Sequence, residues 1–399
     1  MSNKKPEVSI IHSHLLLNTG GSRFIFEVAK RLKKKYSVTV FCECVSNEWK
    51  QEFALQRIPV VSLLPITSTS LVYWLFFPFF FLLDAYNLHK KLPKDSLVLT
   101  YMFPMHAALA LIGRSYLCYC FEPFAFFYDP SLLASFPKYK RAVLKVLSFL
   151  YAPLDAWGVA SSRKLLAINP SVGRWIKKIY SRSPDVYTYL GVDTKKFHPQ
   201  VRIPQAEVIL MHSTDYTPLK GTQLLLEALP SVQSRNWKLY ISESVTNVHA
   251  QEKCKEYLRD QGLEKNVTFL GHVPFDKLSD LYANADIYCF TGDPRSTGAT
   301  AASLSVLEAA ASGLPVIRSC GNTDEVLSGV TGLVVNPLKR EQLAKAIDLL
   351  VQSNVLRIKF SRAARRHILS RYTWEAVTSS VEVAFKEHSH GSEKKSKND

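Results

Sequence analysis

Short apolar runs alternate along this chain with longer stretches of helical period. Residues 8–11 form an apolar run, followed by the polar His12-Ser13-His14 and a loop ending at Gly20-Gly21. From Arg23 onward Phe24, Phe26, Val28, Ala29 and Leu32 recur at helical spacing, and the stretch closes on Lys33-Lys34-Lys35, cations suited to a helix C-terminus. Residues 38–42 are the next apolar run. Strand, glycine loop, helix and strand predict a βαβ unit, hence a parallel sheet covered by helices. Residues 97–100, 117–121, 165–168 and 186–189 read as further strands of that sheet.

The pattern restarts after Pro199 and Pro204, which punctuate a polar stretch. Strands are predicted at 208–211, 238–241, 267–270, 287–290 and 315–317, with helices between them. The fold class is therefore α/β, with two Rossmann-like, doubly wound domains over 1–198 and 199–372. A helix over 373–387 and a polar, disordered tail over 388–399 complete the chain. Ligands of such sheets sit at the C-terminal strand ends, which points to a central cleft faced by both domains.

Composition narrows the function classes. The 399 residues are 47% hydrophobic and 21% charged, which excludes a disordered chain and a polytopic membrane protein. The net charge of +16 is lopsided: residues 1–199 hold 26 basic and 12 acidic side chains, the remainder 24 and 22. A negatively charged partner of the first half is implied, either an anionic membrane or nucleic acid. Nucleic acid is not expected, because no recognised motif interleaves aromatics with the cations. Cys42-x-Cys44 and Cys118-x-Cys120 lie in strand-like runs and read as buried, reduced thiols. With residues 1–8 polar and charged, no export signal is expected and the chain reads as cytosolic.

Two segments raise the membrane question. Residues 71–83 carry no polar side chain but are too short to span and contain Pro78. They read either as a buried helix or as an interfacial segment inserting Trp74 and Phe79 among acyl chains, with Lys90 and Lys91 behind. Residues 137–157 place Lys138, Lys140 and Arg141 ahead of a leucine-rich stretch, as in a basic helix on anionic lipid or an ordinary helix with a solvated basic face.

Several motifs occur in order: Asn18-Thr19-Gly20-Gly21 before a helix, Gly191-Val192-Asp193 with Phe197 and Pro199, and Lys220-Gly221. Leu270-Gly271-His272-Val273-Pro274, then Leu307-Glu308-Ala309 through Gly313-Leu314-Pro315, then Glu325, Thr331-Gly332 and Arg371-Tyr372-Thr373-Trp374 follow. Over nearly the whole chain this resembles the family-4 glycosyltransferases of GT-B fold, which are retaining and use nucleotide-sugars. The resemblance implies an acceptor-side first domain, a donor-side second domain, and a last helix crossing back to the first. It also implies a donor site formed by Gly20, Gly21, Lys220, Thr300, Ala301 and Glu308, with Lys220, Glu308 and Glu122 as catalytic residues. His106, at the end of another predicted strand of the first domain, reads either as lining the acceptor side of the cleft or, more often for a lone histidine, as structural. Glycines and helix N-termini suit a diphosphate because backbone N–H groups can approach it.

Three departures stand at the implied reaction centre. Thr300 replaces the first glutamate of the family's glutamate pair, Asp215 and Thr214 occupy the positions of an arginine ahead of Lys220, and Phe121 replaces a histidine beside Glu122. Arg295 and Arg318 are the candidate replacements for the missing cation. The expected function is hexose transfer from GDP-mannose or a UDP-hexose to a lipid-linked or cell-surface glycan acceptor, peripheral on the cytosolic membrane face. The alternative is a non-catalytic scaffold of a glycan-assembly complex. No cofactor or metal is expected, since no ligand cluster is spaced for one.

Overall fold

The computed structural model describes residues 5–17, 19–67, 70–101, 103–200, 206–244, 247–295, 302–321 and 324–395. The chain divides into two compact units, the first made of Met1–Asp129, Leu133–Tyr189 and Trp374–Asp399, the second built on Leu190–Thr373.

The first unit holds a seven-stranded sheet in the order β3-β2-β1-β4-β5-β6-β7, every pairing parallel. The strands are β1 (Glu7–Leu15), β2 (Ser37–Val45), β3 (Val60–Ser62), β4 (Leu97–Thr100), β5 (Leu117–Cys120), β6 (Lys164–Ala167) and β7 (Val186–Tyr187). Parallel strands are covered on both faces, so they read as continuous apolar runs, and Ile10 and Ile11 are fully buried. Burying each such side chain contributes about 1.5–3 kcal/mol. β1 continues through His12 and His14, in register with Cys42 and Cys44, where the sequence predicted a loop. Both imidazoles are kept neutral by burial, which lets them sit in a strand.

The second unit holds a six-stranded parallel sheet in the order β10-β9-β8-β11-β12-β13. Its strands are β8 (Val208–Thr214), β9 (Trp237–Glu243), β10 (Val267–His272), β11 (Ile287–Phe290), β12 (Val316–Ser319) and β13 (Gly332–Val335). Its core joins Leu210, Leu225, Leu239, Ile287, Ile317 and Ile347.

The domain boundary falls at Tyr189, earlier than the predicted residue 198. Leu190 and Val192 are buried, and Val192 N donates to Tyr372 O at 2.8 Å, so this segment is core of the second unit. The last helix, Trp374–Lys395, belongs to the first unit. It continues well past residue 387, so most of the predicted disordered tail is helical. Its pairs Arg31–Glu375 (3.0 Å), Lys35–Glu382 (2.6 Å) and Lys164–Glu387 fasten it along that unit.

Residues 71–83 are not one helix. Leu71–Leu75 and Phe77–Lys91 are separate helices meeting at Phe76. Tyr73, Phe77 and Phe81 face the core, while Phe79 is 63% exposed beside exposed Leu75, Phe76 and Leu82. One face of the segment is therefore core and the other is exposed. Trp74 corrects the expectation of a lipid-inserted side chain. It is half-buried among Phe77 (5.4 Å between centroids), Phe127 (6.2 Å) and Phe124 (6.3 Å).

Helix Lys138–Ser161, at 24 residues, is long and apolar enough to cross a membrane by length and composition. Val143, Val146, Phe149 and Leu150 are exposed on it. Its C-terminal part is anchored: a β-carbon at Gly158 would lie 2.2 Å from His106 Cδ2, so only glycine allows this approach.

Candidate functional site

In each sheet the strand order reverses direction beside its first strand, at β1/β4 and at β8/β11, and ligands of open α/β sheets bind outside the C-terminal strand ends at such a point. In the second unit the loop leaving β8 carries Lys220 there. The loop is pinned from within: Thr214 Oγ1 accepts from Tyr216 N (2.7 Å), Asp215 Oδ1 accepts from Thr217 N (2.9 Å), and Lys220 N donates to Thr217 O (3.0 Å). Gly221 has φ of 66°, and a β-carbon there would lie 1.9 Å from Thr291 O. The Lys-Gly pair thus follows from geometry, because only glycine lets the loop lie on the end of β11.

His212, on β8, went unread in the sequence. It is fully buried, with Nδ1 2.9 Å from Cys289 O and Nε2 2.9 Å from Thr222 Oγ1. A carbonyl only accepts, so Nδ1 carries the proton and Nε2 accepts from the Thr222 hydroxyl. Burial pushes its pKa down to about 4, keeping it a neutral brace between β8, β11 and helix Thr222–Ala228.

Burial lowers the pKa of the Lys220 ammonium, Asp215 opposes that, and Arg318 adds to the lowering. Lys220 Nζ lies 5.7 Å from the centre of the Phe290 ring, and the Arg318 guanidinium lies 4.3 Å from the same centre. Arg318 is fully buried and its Nε donates to Glu325 Oε2 at 2.9 Å. Glu325 Oε1 accepts from Ser303 N at 2.7 Å, immediately ahead of helix Leu304–Ala311. Burial raises the Glu325 pKa, opposed first by Arg318. The other arginine considered, Arg295, is an exposed partner of Asp293 at 2.6 Å. Glu308 is buried on that same helix and accepts from Tyr282 Oη at 3.2 Å. Thr300 and Ala301 lie outside the described residues.

In the first unit Gly20 and Gly21 form the opening turn of helix Gly20–Leu32 rather than the end of a loop. Thr19 caps it: its Oγ1 accepts from Ser22 N (3.3 Å) while its own N donates to Ser22 Oγ (2.8 Å). Phe121 packs edge-on against Phe24 (5.2 Å) and stacks on Tyr101 (5.4 Å, 17°), an aromatic platform beside β1, β4 and β5. Next to it, burial and then Asp129 push the Glu122 carboxyl up to about 7. Glu122 Oε2 is buried with no hydrogen-bond partner among the described residues. His12 and His14 lie near the end of β1 with rings 6.0 Å apart. Their legible signal was the period-two spacing directly after an apolar run.

His106 belongs to the interior, not to a ligand-facing surface. It is 3% exposed and donates from Nε2 to Asp155 Oδ1 at 2.9 Å, and Tyr180 Oη donates to Asp155 Oδ2 at 2.8 Å. Lys90, Lys91, Lys138 and Lys140 are exposed, Lys91 donating to Ser62 O at 3.2 Å and Lys140 lying 4.3 Å from the Phe136 ring centre. Arg141 donates to Ala134 O (2.9 Å) and Phe136 O (3.1 Å), so it closes the preceding turn.

Residues 193–367 match the family model described as glycosyl transferases group 1. The second unit is a group 1 glycosyltransferase domain. Over 207 residues the chain is 28% identical to the GDP-mannose-dependent alpha-(1-6)-phosphatidylinositol monomannoside mannosyltransferase of Mycobacterium tuberculosis, covering 48% of this chain and 53% of that one. It is 26% identical over 235 residues to the D-inositol 3-phosphate glycosyltransferase of Rhodococcus erythropolis, covering 54% and 52%. The chain thus spans about half the length of these curated relatives. Among solved structures it is similar to a glycosyltransferase from Rickettsia africae (TM-score 0.71, 19% identity, 96% and 98% covered). It is also similar to the sucrose-phosphate synthase of Thermosynechococcus elongatus (TM-score 0.74, 14% identity, 97% and 100% covered). The group 1 glycosyltransferase domain, with the unit preceding it, has the GT-B fold.

Proposed function

We propose that the chain is a retaining glycosyltransferase that moves a hexose from GDP-mannose or a UDP-hexose to a lipid-linked or cell-surface glycan acceptor. The observation that carries this reading is Lys220, held at the β8/β11 switch point with the buried Glu308 among the charges acting on it. A departing diphosphate needs a cation and N–H donors fixed beforehand, so that no reorganisation accompanies bond cleavage. Lys220 supplies the cation, and Glu308 accepts from the ribose hydroxyls. No metal is required in this reading. Glu122, titrating near neutral pH, suits proton exchange with an acceptor hydroxyl. The names of the mycobacterial and rhodococcal relatives favour an inositol-bearing or other lipid-linked acceptor.

The place of action is the cytosolic face of a membrane. The exposed Phe76, Phe79 and Leu82, and the exposed Val146, Phe149 and Leu150, support it, together with the cations Lys138 and Lys140. A second reading, a non-catalytic scaffold, is favoured by Asp215 and Phe121, which stand where the family resemblance implies an arginine and a histidine.

A thermal-shift panel with GDP, UDP, GDP-mannose and UDP-glucose decides between the two. A ligand at 100 times its Kd adds about 2.7 kcal/mol and raises the midpoint measurably. Stabilisation by one base, followed by turnover with a lipid acceptor, supports the enzyme. Binding without turnover over an acceptor series supports the scaffold.

A further inference from the structure

We propose that Arg318 is a positioning residue for the donor diphosphate, supplying from inside the sheet the second positive charge that the β8 loop lacks. The inference rests on the donor-site reading of Lys220. β8, β11 and β12 are neighbours in the sheet, and Phe290 on β11 is directly in register with Arg318 on β12. Both cations gather at that one ring, 5.7 Å for Lys220 Nζ and 4.3 Å for the guanidinium. Arg318, 0% exposed, does not reach a ligand itself. It acts through Lys220 and through Ser303, which precedes the helix bearing Glu308.

The first is Lys220. Arg318 and Glu325 are neutral as a pair, but the guanidinium is the end that meets the Phe290 ring Lys220 also approaches, in surroundings where charges are poorly screened. Two cations set side by side repel, and an anion bound beside them relieves that repulsion. The second group is Ser303. Glu325 is held by Arg318 at one oxygen and holds Ser303 N with the other, 2.9 and 2.7 Å, which fixes the start of the helix bearing Glu308. One buried pair thus sets both the cation and the helix end. The acidic Asp215 in the β8 loop then does not leave the site short of positive charge.

The test uses the full chain and isothermal titration with GDP, UDP, guanosine and uridine. The Arg318→Met/Glu325→Gln double change removes both charges yet keeps an oxygen for Ser303 N, so the fold survives. The expected result is about a tenfold or greater loss of nucleoside diphosphate affinity, the scale of one charged hydrogen bond, with nucleoside affinity unchanged. Arg318→Lys, which keeps the charge, is expected to stay within about threefold of wild type. Equal losses for diphosphate and nucleoside, or no loss, would overturn the assignment and leave Arg318 a structural pair. A wild-type chain that binds neither GDP nor UDP overturns the donor-site reading and this inference with it.

Discussion

Gly221 and Thr291 lie so close that a β-carbon on the glycine would fall 1.9 Å from the threonine carbonyl oxygen. Thr291 Oγ1 donates in turn to Gly221 O at 2.9 Å, so the loop bearing Lys220 is clamped to the end of β11 from both sides. Gly221→Ala must displace that loop as well as bear about 1–2 kcal/mol for a left-handed φ. The expected outcome is a loss of about 2 kcal/mol or more by urea denaturation, and loss of nucleotide binding even in the fraction that stays folded.

Asp84 sits fully buried on helix Phe77–Lys91, near Glu43 and Tyr73. Burial and then Glu43 push its carboxyl up to about 9. Between about pH 4, where the unfolded chain gives up this proton, and pH 9, the folded chain retains it. Stability therefore falls as pH rises through that window, by at most about 1.4 kcal/mol per pH unit. Asp84→Asn mimics the protonated form and is expected to melt higher than wild type at pH 8, with the difference vanishing near pH 4. Equal midpoints at both values would count against the assignment.

Glu122 is expected to govern the pH profile of transfer. With its carboxyl near 7, activity that needs the carboxylate rises through neutrality, and Glu122→Gln flattens the profile while lowering kcat. Rate measurements from pH 5.5 to 8.5 check this.

Removing one member of the Arg318–Glu325 pair leaves a buried charge alone, which costs about 3–5 kcal/mol. Arg318→Met is expected to lose that much by chemical denaturation, and the added Glu325→Gln change is expected to recover most of it.

The exposed side of the aromatic helices is separable from its core side. Phe76→Ser, Phe79→Ser and Leu82→Ser together are expected to abolish sedimentation with anionic vesicles while leaving the thermal midpoint nearly unchanged. Phe77→Ser, on the buried side, is expected to unfold the unit.

The two parallel sheets were legible because strands covered on both faces must be apolar throughout, and 8–11 or 287–290 have no other explanation. What escaped were positions whose role depends on partners distant in sequence. His12 and His14 look like loop residues until β1 is seen to continue alongside β2, where burial keeps them neutral. Trp74 looks like a membrane anchor until Phe124 and Phe127 close around it. His106 becomes internal only once Gly158, 52 residues on, brings another helix against it. Motif spacing placed Lys220-Gly221 ahead of a helix and Glu308 on another, where the structure has them. That Arg318 rather than Arg295 stands beside Lys220 was not legible, because the decision lies in which strand pairs with β11.

The return of the chain at Trp374 also fixes the order in which the protein can be made. Trp374 packs edge-on against Phe24 at 5.8 Å, 350 residues apart, and Phe385 lies 6.4 Å from Tyr36. During synthesis the unit that emerges first must wait, its helix Gly20–Leu32 uncovered, until residues 374–385 have left the ribosome. The unit made second is drawn almost entirely from Leu190–Thr373 and closes before it. A stop codon just before Trp374 therefore damages the unit that holds β1, and a chain ending at Thr373 would present Phe24 to chaperones rather than to a partner helix.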